Sequence, residues 1–295
     1  MSEGQERHGQ WWESGPVFST TDRGSKITTI APGKRAGRFT TGLTIGTVFT
    51  ALVWTGLAFL GYPRIFRAVH TAPAIEEMAA TWWWLVLAVL AVLFMLLANL
   101  GLYGAVEERF GQQSAGFTVC VAAAGFGCFV GGALHLRLLA SAIAAMPPST
   151  PSWDRPDGVV LLLFTGSGLF GFLGAGLAAP FVLLRASRRQ RTILRLRESA
   201  HRYPGQVVAT DFRKQWIAGR PQFKVVIEYE TPHLRGRFDT AMATQSDRVP
   251  LPGFPVLVSV GDASETLVEP DPDRPGAFDP DNSRYQQSSG GGGGA

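Results

Sequence analysis

The sequence predicts an α-helical integral membrane protein with four transmembrane helices, followed by a small C-terminal all-β cytosolic domain, barrel-like and of about five strands. Three observations carry this. The hydrophobic share of 46% is high for a soluble chain, and the apolar residues gather in four blocks of membrane-spanning length. Arginines crowd the polar stretches before the first block and after the last. Beyond about residue 205 the apolar period changes to two, the mark of half-buried strands.

Residues 1–40 are rich in Gly, Ser, Thr and charge without a sustained period, which predicts a disordered cytosolic tail. Their opening, MSEGQERHGQ, has no basic stretch leading into an apolar core, so no cleaved signal peptide is expected. The transmembrane domain is predicted over 41–184. Its first span, about 41–61, closes on Tyr62 and Pro63, an interfacial aromatic and a helix stop. The second, about 82–104, opens on Trp82, Trp83 and Trp84, which suit the headgroup belt. The third covers about 115–136, and the fourth 159–184 with Pro180 near its inner end.

Orientation follows from the short flanks, where Arg and Lys stay on the cytoplasmic side. Arg23, Lys26, Lys34, Arg35 and Arg38 precede the first span, while the expected outer loops set Glu76, Glu77, Asp154 and Asp157 beside Arg64, Arg67 and Arg155. Both termini are therefore expected in the cytosol. Arginine-heavy, lysine-poor composition with abundant Ala and Gly reads as a GC-rich bacterium, hence a multi-pass protein of the bacterial cytoplasmic (inner) membrane. Residues 185–202 are expected to be a basic juxtamembrane helix. In it Arg185, Arg188, Arg189, Arg191, Arg195 and Arg197 would bind an anionic lipid surface while Ile193, Leu194 and Leu196 dip into the interface.

The small β-domain is predicted over 203–270, from the runs QVVAT, QFKVVIEYE, RGRFDTAM, PVLVSV and ETLVEP. In the second run Phe223, Val225, Ile227 and Tyr229 share one face and Lys224, Glu228 and Glu230 the other. Turn residues at 219–221, 231–232 and 251–253 separate the runs, and the domain is expected to fold when expressed alone. Residues 271–295, with PDPDRPG, FDPDNS and a glycine run, are expected to be a disordered tail.

The order GQVVAT, KVVIEYETP, RFDT, PLPGFPVLVSV and TLVEPD over about 204–271 resembles a widespread bacterial family of unknown function, a small β-domain tethered to membrane helices. Several membrane helices ahead of a C-terminal barrel are similar to the NfeD-like membrane proteins, whose barrel is OB-like. The resemblance implies an architecture and a scaffolding or quality-control context. It brings no catalytic residue.

Chemistry-bearing constellations are missing from the sequence. His8, His70, His135, His201 and His233 are scattered, and no HExxH, CxxC, Walker loop, GxSxG or dinucleotide fingerprint occurs. Cys120 and Cys128 stand eight residues apart in one predicted helix, a rise of about 12 Å that forbids a bridge within it. No cofactor, metal site or enzymatic activity is expected. The glycines of the third and fourth spans instead form small-residue stripes for helix packing: Gly127 and Gly131 in one, Ser167, Gly171 and Ala175 in the other.

Polar residues inside spans are costly and so are candidates for function. His135, Arg137 and Asn99 form the candidate intramembrane polar site. His135 continues the stripe of Gly127 and Gly131 and suits either a proton or ligand role or a structural bond between helices. Arg137 can snorkel to headgroups or meet Asp154 or Asp157. One polar contact between helices accounts for Asn99. The function expected is a non-enzymatic membrane anchor or scaffold that presents the β-module to cytosolic or membrane partners. Those partners would be a protein or a second copy of the chain, together with anionic membrane lipid. The alternative is a transporter or transport-accessory subunit using the bundle around His135. Nucleic acid is not an expected partner, because the basic residues of the β-domain are matched by acids and Trp216 is nearly alone as an exposed stacking residue.

Overall fold

The structure, a computed structural model, describes residues 15–70, 75–145, 159–232, 234–261 and 265–287. The chain divides into two compact units. One is helical, from 38–109 and 113–185; the other is built on a β-sheet and gathers 15–37, 110–112 and the described residues from 186 on.

Four helices dominate the chain: α1 (Thr41–His70), α2 (Ile75–Phe110), α3 (Gln113–Ala144) and α4 (Val159–Ser199). Each is long and apolar enough to cross a membrane. Within the helical unit α3 is the most enclosed, with 33% of its apolar window buried, against 6% for α2 and for α4. The reason is sequence: α3 carries its glycines on two faces. A methyl at Gly127 or Gly131 would overlap the Ala51 or Thr55 carbonyl of α1, and one at Gly125 or Gly132 would overlap α4 at Phe172 or Thr165. Backbones thus approach closely on both sides, as small residues allow. The large apolar side chains of α2 and α4, such as Leu97, Leu100, Phe170 and Phe181, point outward.

The second unit is a nearly closed barrel-like antiparallel sheet of six strands in the order β1-β4-β3-β2-β5-β6. β2 (His201–Ile217) pairs over His201 to Gln206 with β5 (Pro255–Val260) and along its length from Gly205 with β3 (Arg220–Glu230). Its register slips at Val207/Ala209 and at Phe212/Trp216, and such bulges bend a long strand around a barrel corner. Ala218 and Gly219, both at positive φ, close a two-residue hairpin between Ile217 and Arg220. β4 (Arg235–Ala243) follows β3, and β6 (Thr266–Pro270) follows β5. The alternating side chains read from the sequence do line the core, which holds Val207, Phe223, Val225, Ile227, Met242, Val256 and Val258.

Two segments expected to be disordered belong to this unit. Residues 15–37 form a strap whose β1 (Val17–Ser19) pairs with Ala243–Ala241 of β4, and the Thr20 hydroxyl donates to the Thr266 carbonyl of β6 at 3.2 Å. The strap thereby lies between the two edge strands and brings Phe18 into the core. At the other end 271–287 packs back, with Phe278 against Phe254 and Tyr285 buried between Phe212 and Phe223. Apolar anchors explain both corrections: a single buried aromatic ring can hold a polar segment that shows no period. The remainder of both tails, 1–14 and 288–295, lies outside the described residues.

A fragment limited to 203–271 consequently lacks β1, Phe278 and Tyr285, and the expected stand-alone module is incomplete. In the full chain Phe18→Ala should destabilise the barrel unit by about 3–5 kcal/mol, the usual cost of truncating a buried phenylalanine. Denaturant unfolding followed by hydrogen exchange at Ala241 to Ala243 checks this, and a change below about 1 kcal/mol would remove β1 from the core.

Candidate functional site

The polar candidates on the four long helices do not converge. His135 sits half-buried on α3, edge-on to the Phe59 ring of α1 with centroids 5.9 Å apart. Asn99 on α2 donates from Nδ2 to the Met95 carbonyl of its own helix at 2.8 Å, and its backbone carbonyl accepts the Cys120 thiol. Arg137 is exposed, and its suggested partners Asp154 and Asp157 lie outside the described residues. Each of the three therefore has its own surroundings. Of the packing residues, Gly127 and Gly131 face α1, and Gly171 lies 3.9 Å from the Cα of Gly125 by the position its Cβ would take. Ser167 is exposed and bonds back to the Phe164 carbonyl, as serines inside helices do, while Ala175 is half-buried. Among the described residues no three His, Cys, Asp or Glu side chains cluster as metal ligands.

The denser polar site lies in the barrel unit, where the strap meets the last turns of α4. Ala186, Ser187, Gln190, Ile193 and Leu196 are buried, a recurrence at three and four residues that turns one helical face inward. Ile193 and Leu196 pack with Ile30 and Leu267. They lie in a protein core, not in lipid as expected, because the strap and β6 cover them.

Polar side chains hold the strap there. Gln190 accepts from the Gly37 N–H at 2.7 Å and donates to the Thr29 carbonyl at 3.3 Å, and Ser187 donates to the Gly37 carbonyl at 2.8 Å. The α2–α3 turn adds a second clamp. Gln112, fully buried, donates to the Lys26 carbonyl and to the Thr28 hydroxyl, and the Gly111 carbonyl accepts the Thr29 N–H at 2.9 Å. Gly111 has φ of +64°, and a Cβ there would collide with the Thr29 carbonyl, so only glycine fits on both counts.

The six arginines expected on lipid divide by helical face. Arg197 points inward, its Nη2 donating to Glu269 at 2.7 Å and to the Ile30 carbonyl at 2.9 Å. Its Nη1 is buried without a bond to the described residues, next to a cavity of about 30 Å³ lined by Ser19, Thr28, Arg189 and Glu269 among others. Arg189 approaches the buried Asp22 at 4.0 Å, and Arg195 pairs with Glu265 nearer the surface. Arg185, Arg188 and Arg191 are exposed. The inward face is legible in the sequence as the Ala186, Gln190, Ile193 and Leu196 period; its acidic counterparts, far off in sequence, are not.

Trp216, read as an exposed stacking residue, is half-buried. Its indole N–H donates to the Tyr285 carbonyl at 2.8 Å and its ring meets Phe212 edge-on. Tyr285 in turn donates its hydroxyl to Asp279 at 2.7 Å. That bond, with further ones from Arg284 and the Asp281 N–H, holds the Asp279 carboxyl below its ordinary range, while burial pushes the Tyr285 phenol up.

No family model, curated protein or solved structure matches this chain.

The two ion pairs should differ in worth. Arg197 and Glu269 are 14% and 18% exposed, so Glu269→Ala strands a buried cation and should cost about 3–5 kcal/mol. Glu265→Ala removes the partner of a 63% exposed arginine and should cost at most about 1 kcal/mol, both read by denaturant unfolding. Acid and base should also loosen the C-terminal segment. The depressed Asp279 stabilises above the ordinary carboxylate pKa and loses that contribution as pH falls through its folded value. The raised Tyr285 stabilises below the ordinary phenol pKa and loses it as pH rises. Asp279→Asn should flatten the acid limb of the melting temperature against pH and reduce, without abolishing, the alkaline fall, because burial is the larger cause of the raised phenol and Asp279 the next.

Proposed function

We propose that this chain is a non-enzymatic, four-span anchor of the bacterial inner membrane that displays its barrel unit to protein partners in the cytosol. The carrying observation is that residues 15–37, 110–112 and the described residues from 186 on belong to one compact unit. If α1 to α4 cross a bilayer, these three stretches must share one side, because a folded body cannot be divided by the membrane. The arginine distribution selects the cytosolic side. The architecture, helices and then a barrel, fits the NfeD-like and tethered β-domain resemblance and its scaffolding context.

The barrel also suggests where a partner docks. Residues 235–240 of β4 pair with β3 on one side and, among the described residues, with no strand on the other, because β1 covers only Ala241 to Ala243. An extended partner segment can add to such an edge through main-chain hydrogen bonds. The Trp216 rim is a poorer choice, since Tyr285 and Phe212 already occupy it.

Crosslinking and pull-down from native membranes, with the intact chain and with one ending at Arg202, tests the reading. Partners recovered by the intact chain should be lost on truncation. Recovery of the same partners by both would remove the barrel from docking, and solute flux through vesicles without any captured partner would favour transport through the bundle around His135.

A further inference from the structure

Arg189 and Arg197, two arginines that the last turns of α4 send inward, are both short of hydrogen-bond acceptors. Their side chains are 13% and 14% exposed. A guanidinium donates through all its N–H groups and accepts nothing, so burial obliges its surroundings to supply acceptors. Arg197 spends Nε and Nη2 on Glu269 and on the Ile30 carbonyl, but its buried Nη1 meets no acceptor among the described residues. Arg189 is placed worse. The Asp22 carboxylate lies 4.0 Å from its Nε, near enough for attraction but beyond hydrogen-bond reach, and Arg189 makes no hydrogen bond to the described residues.

Both guanidiniums line one cavity of about 30 Å³ between the strap, α4 and β6, all of them parts of the barrel unit. Ser19 faces it too. Its Oγ accepts the Asp22 N–H at 3.0 Å, which leaves the proton of this buried hydroxyl to be donated elsewhere. Charge alone does not choose the occupant, since Asp22 and Glu269 offset the two cations. The excess of donors does.

We infer that Arg189, Arg197 and Ser19 hold a monatomic anion of the size of chloride in this cavity. A water-sized sphere takes about 10–15 Å³ of such space, so a cavity of about 30 Å³ admits a single small ion and excludes phosphate, sulfate or a carboxylate. Water fits by size, but it also donates, whereas a halide only accepts. Hydrogen bonds to an ionised partner are moreover about twice as strong as those between neutral groups. The ion joins the strap at Ser19 to α4 at Arg189 and Arg197. Because it binds only the folded unit, it fastens the strap over the barrel in proportion to halide concentration. This site goes beyond the display role and does not depend on the membrane placement.

The test follows the melting temperature of the purified full-length chain as sodium chloride replaces sodium gluconate at fixed ionic strength. At chloride ten times above its dissociation constant the melting temperature should rise by about 3–6 °C, and bromide should substitute for chloride. Arg197→Lys keeps the charge but loses the Nη1 donors, and should abolish the rise. Arg191→Lys, on the exposed side of α4, should retain it. An equal rise in both variants leaves a general salt effect and overturns the site. No rise in the parent leaves water as the occupant and overturns it as well. A second measurement stands even if Arg197→Lys does not fold: crystals of the parent chain grown in bromide should show an anomalous peak within hydrogen-bond reach of Arg197 Nη1 and Arg189. Absence of that peak overturns the site.

Discussion

Backbone polar groups buried outside regular structure must find partners, and residues 26–37 are where that constraint weighs most. The strap runs over α4 and the barrel without a strand to pair with, apart from three residues of β1. Its carbonyls and N–H groups are met one by one: Lys26 by Gln112, Thr29 by Gly111 and Gln190, Ile30 by Arg197, and Gly37 by Ser187 and Gln190. A buried group left unmet costs about 1–3 kcal/mol, so losing any one of these side chains removes a substantial share of what a small domain has to spare. Gln112 and Gln190 are accordingly almost fully buried, an unusual place for glutamine that only a complete set of bonds makes tolerable.

The same clamps give the barrel an order of assembly. β1 arrives from the chain ahead of α1, the Gly111 clamp from between α2 and α3, and β2 to β6 from beyond α4. Barrel closure between β4 and β6 therefore waits until all four helices have been made. On the membrane reading it also waits until they have crossed an even number of times between each contributing stretch. A misinserted span would put the strap or the Gly111 turn on the wrong face, leaving β4 and β6 with unpaired edges. Exposed edges aggregate or recruit other chains, and closure by β1 covers part of the β4 edge within the barrel unit.

The helices were legible because each carries a run of contiguous apolar residues long enough to cross a bilayer, a signal that little else in the sequence masks. Strands β2 to β6 were legible because one face of each is buried and the other wet, as Phe223, Val225 and Ile227 against Lys224 and Glu228 show. β1 was not, since three residues carry no measurable period and its neighbours are Gly, Ser and Thr. Tyr285 was hidden for a related reason: an isolated ring among Asp, Asn and Ser looks like a tail until Phe212 and Phe223 close over it. The arginines of α4 misled most. Their number matched a lipid-facing strip, but burial of Ile193 and Leu196 fixes the helix rotation, and rotation sends Arg189 and Arg197 toward Asp22 and Glu269.

Charge sorting also shapes the one open stretch of β4. Arg235, Arg237 and Asp239 alternate outward along 235–240, with the half-buried Phe238 between the last two turned in against Tyr229. Alternating charges on an edge discourage pairing with an arbitrary strand, since an apolar or like-charged neighbour leaves them desolvated or repelled. A matching segment would need an acid opposite each arginine and a base opposite Asp239, and would gain its specificity from that match more than from main-chain bonds common to every strand. Asp239 already pairs with Lys224 at 2.6 Å, both largely exposed, a contact weak enough to be exchanged. An edge so guarded tolerates solvent when unpaired and would discriminate among strands offered to it.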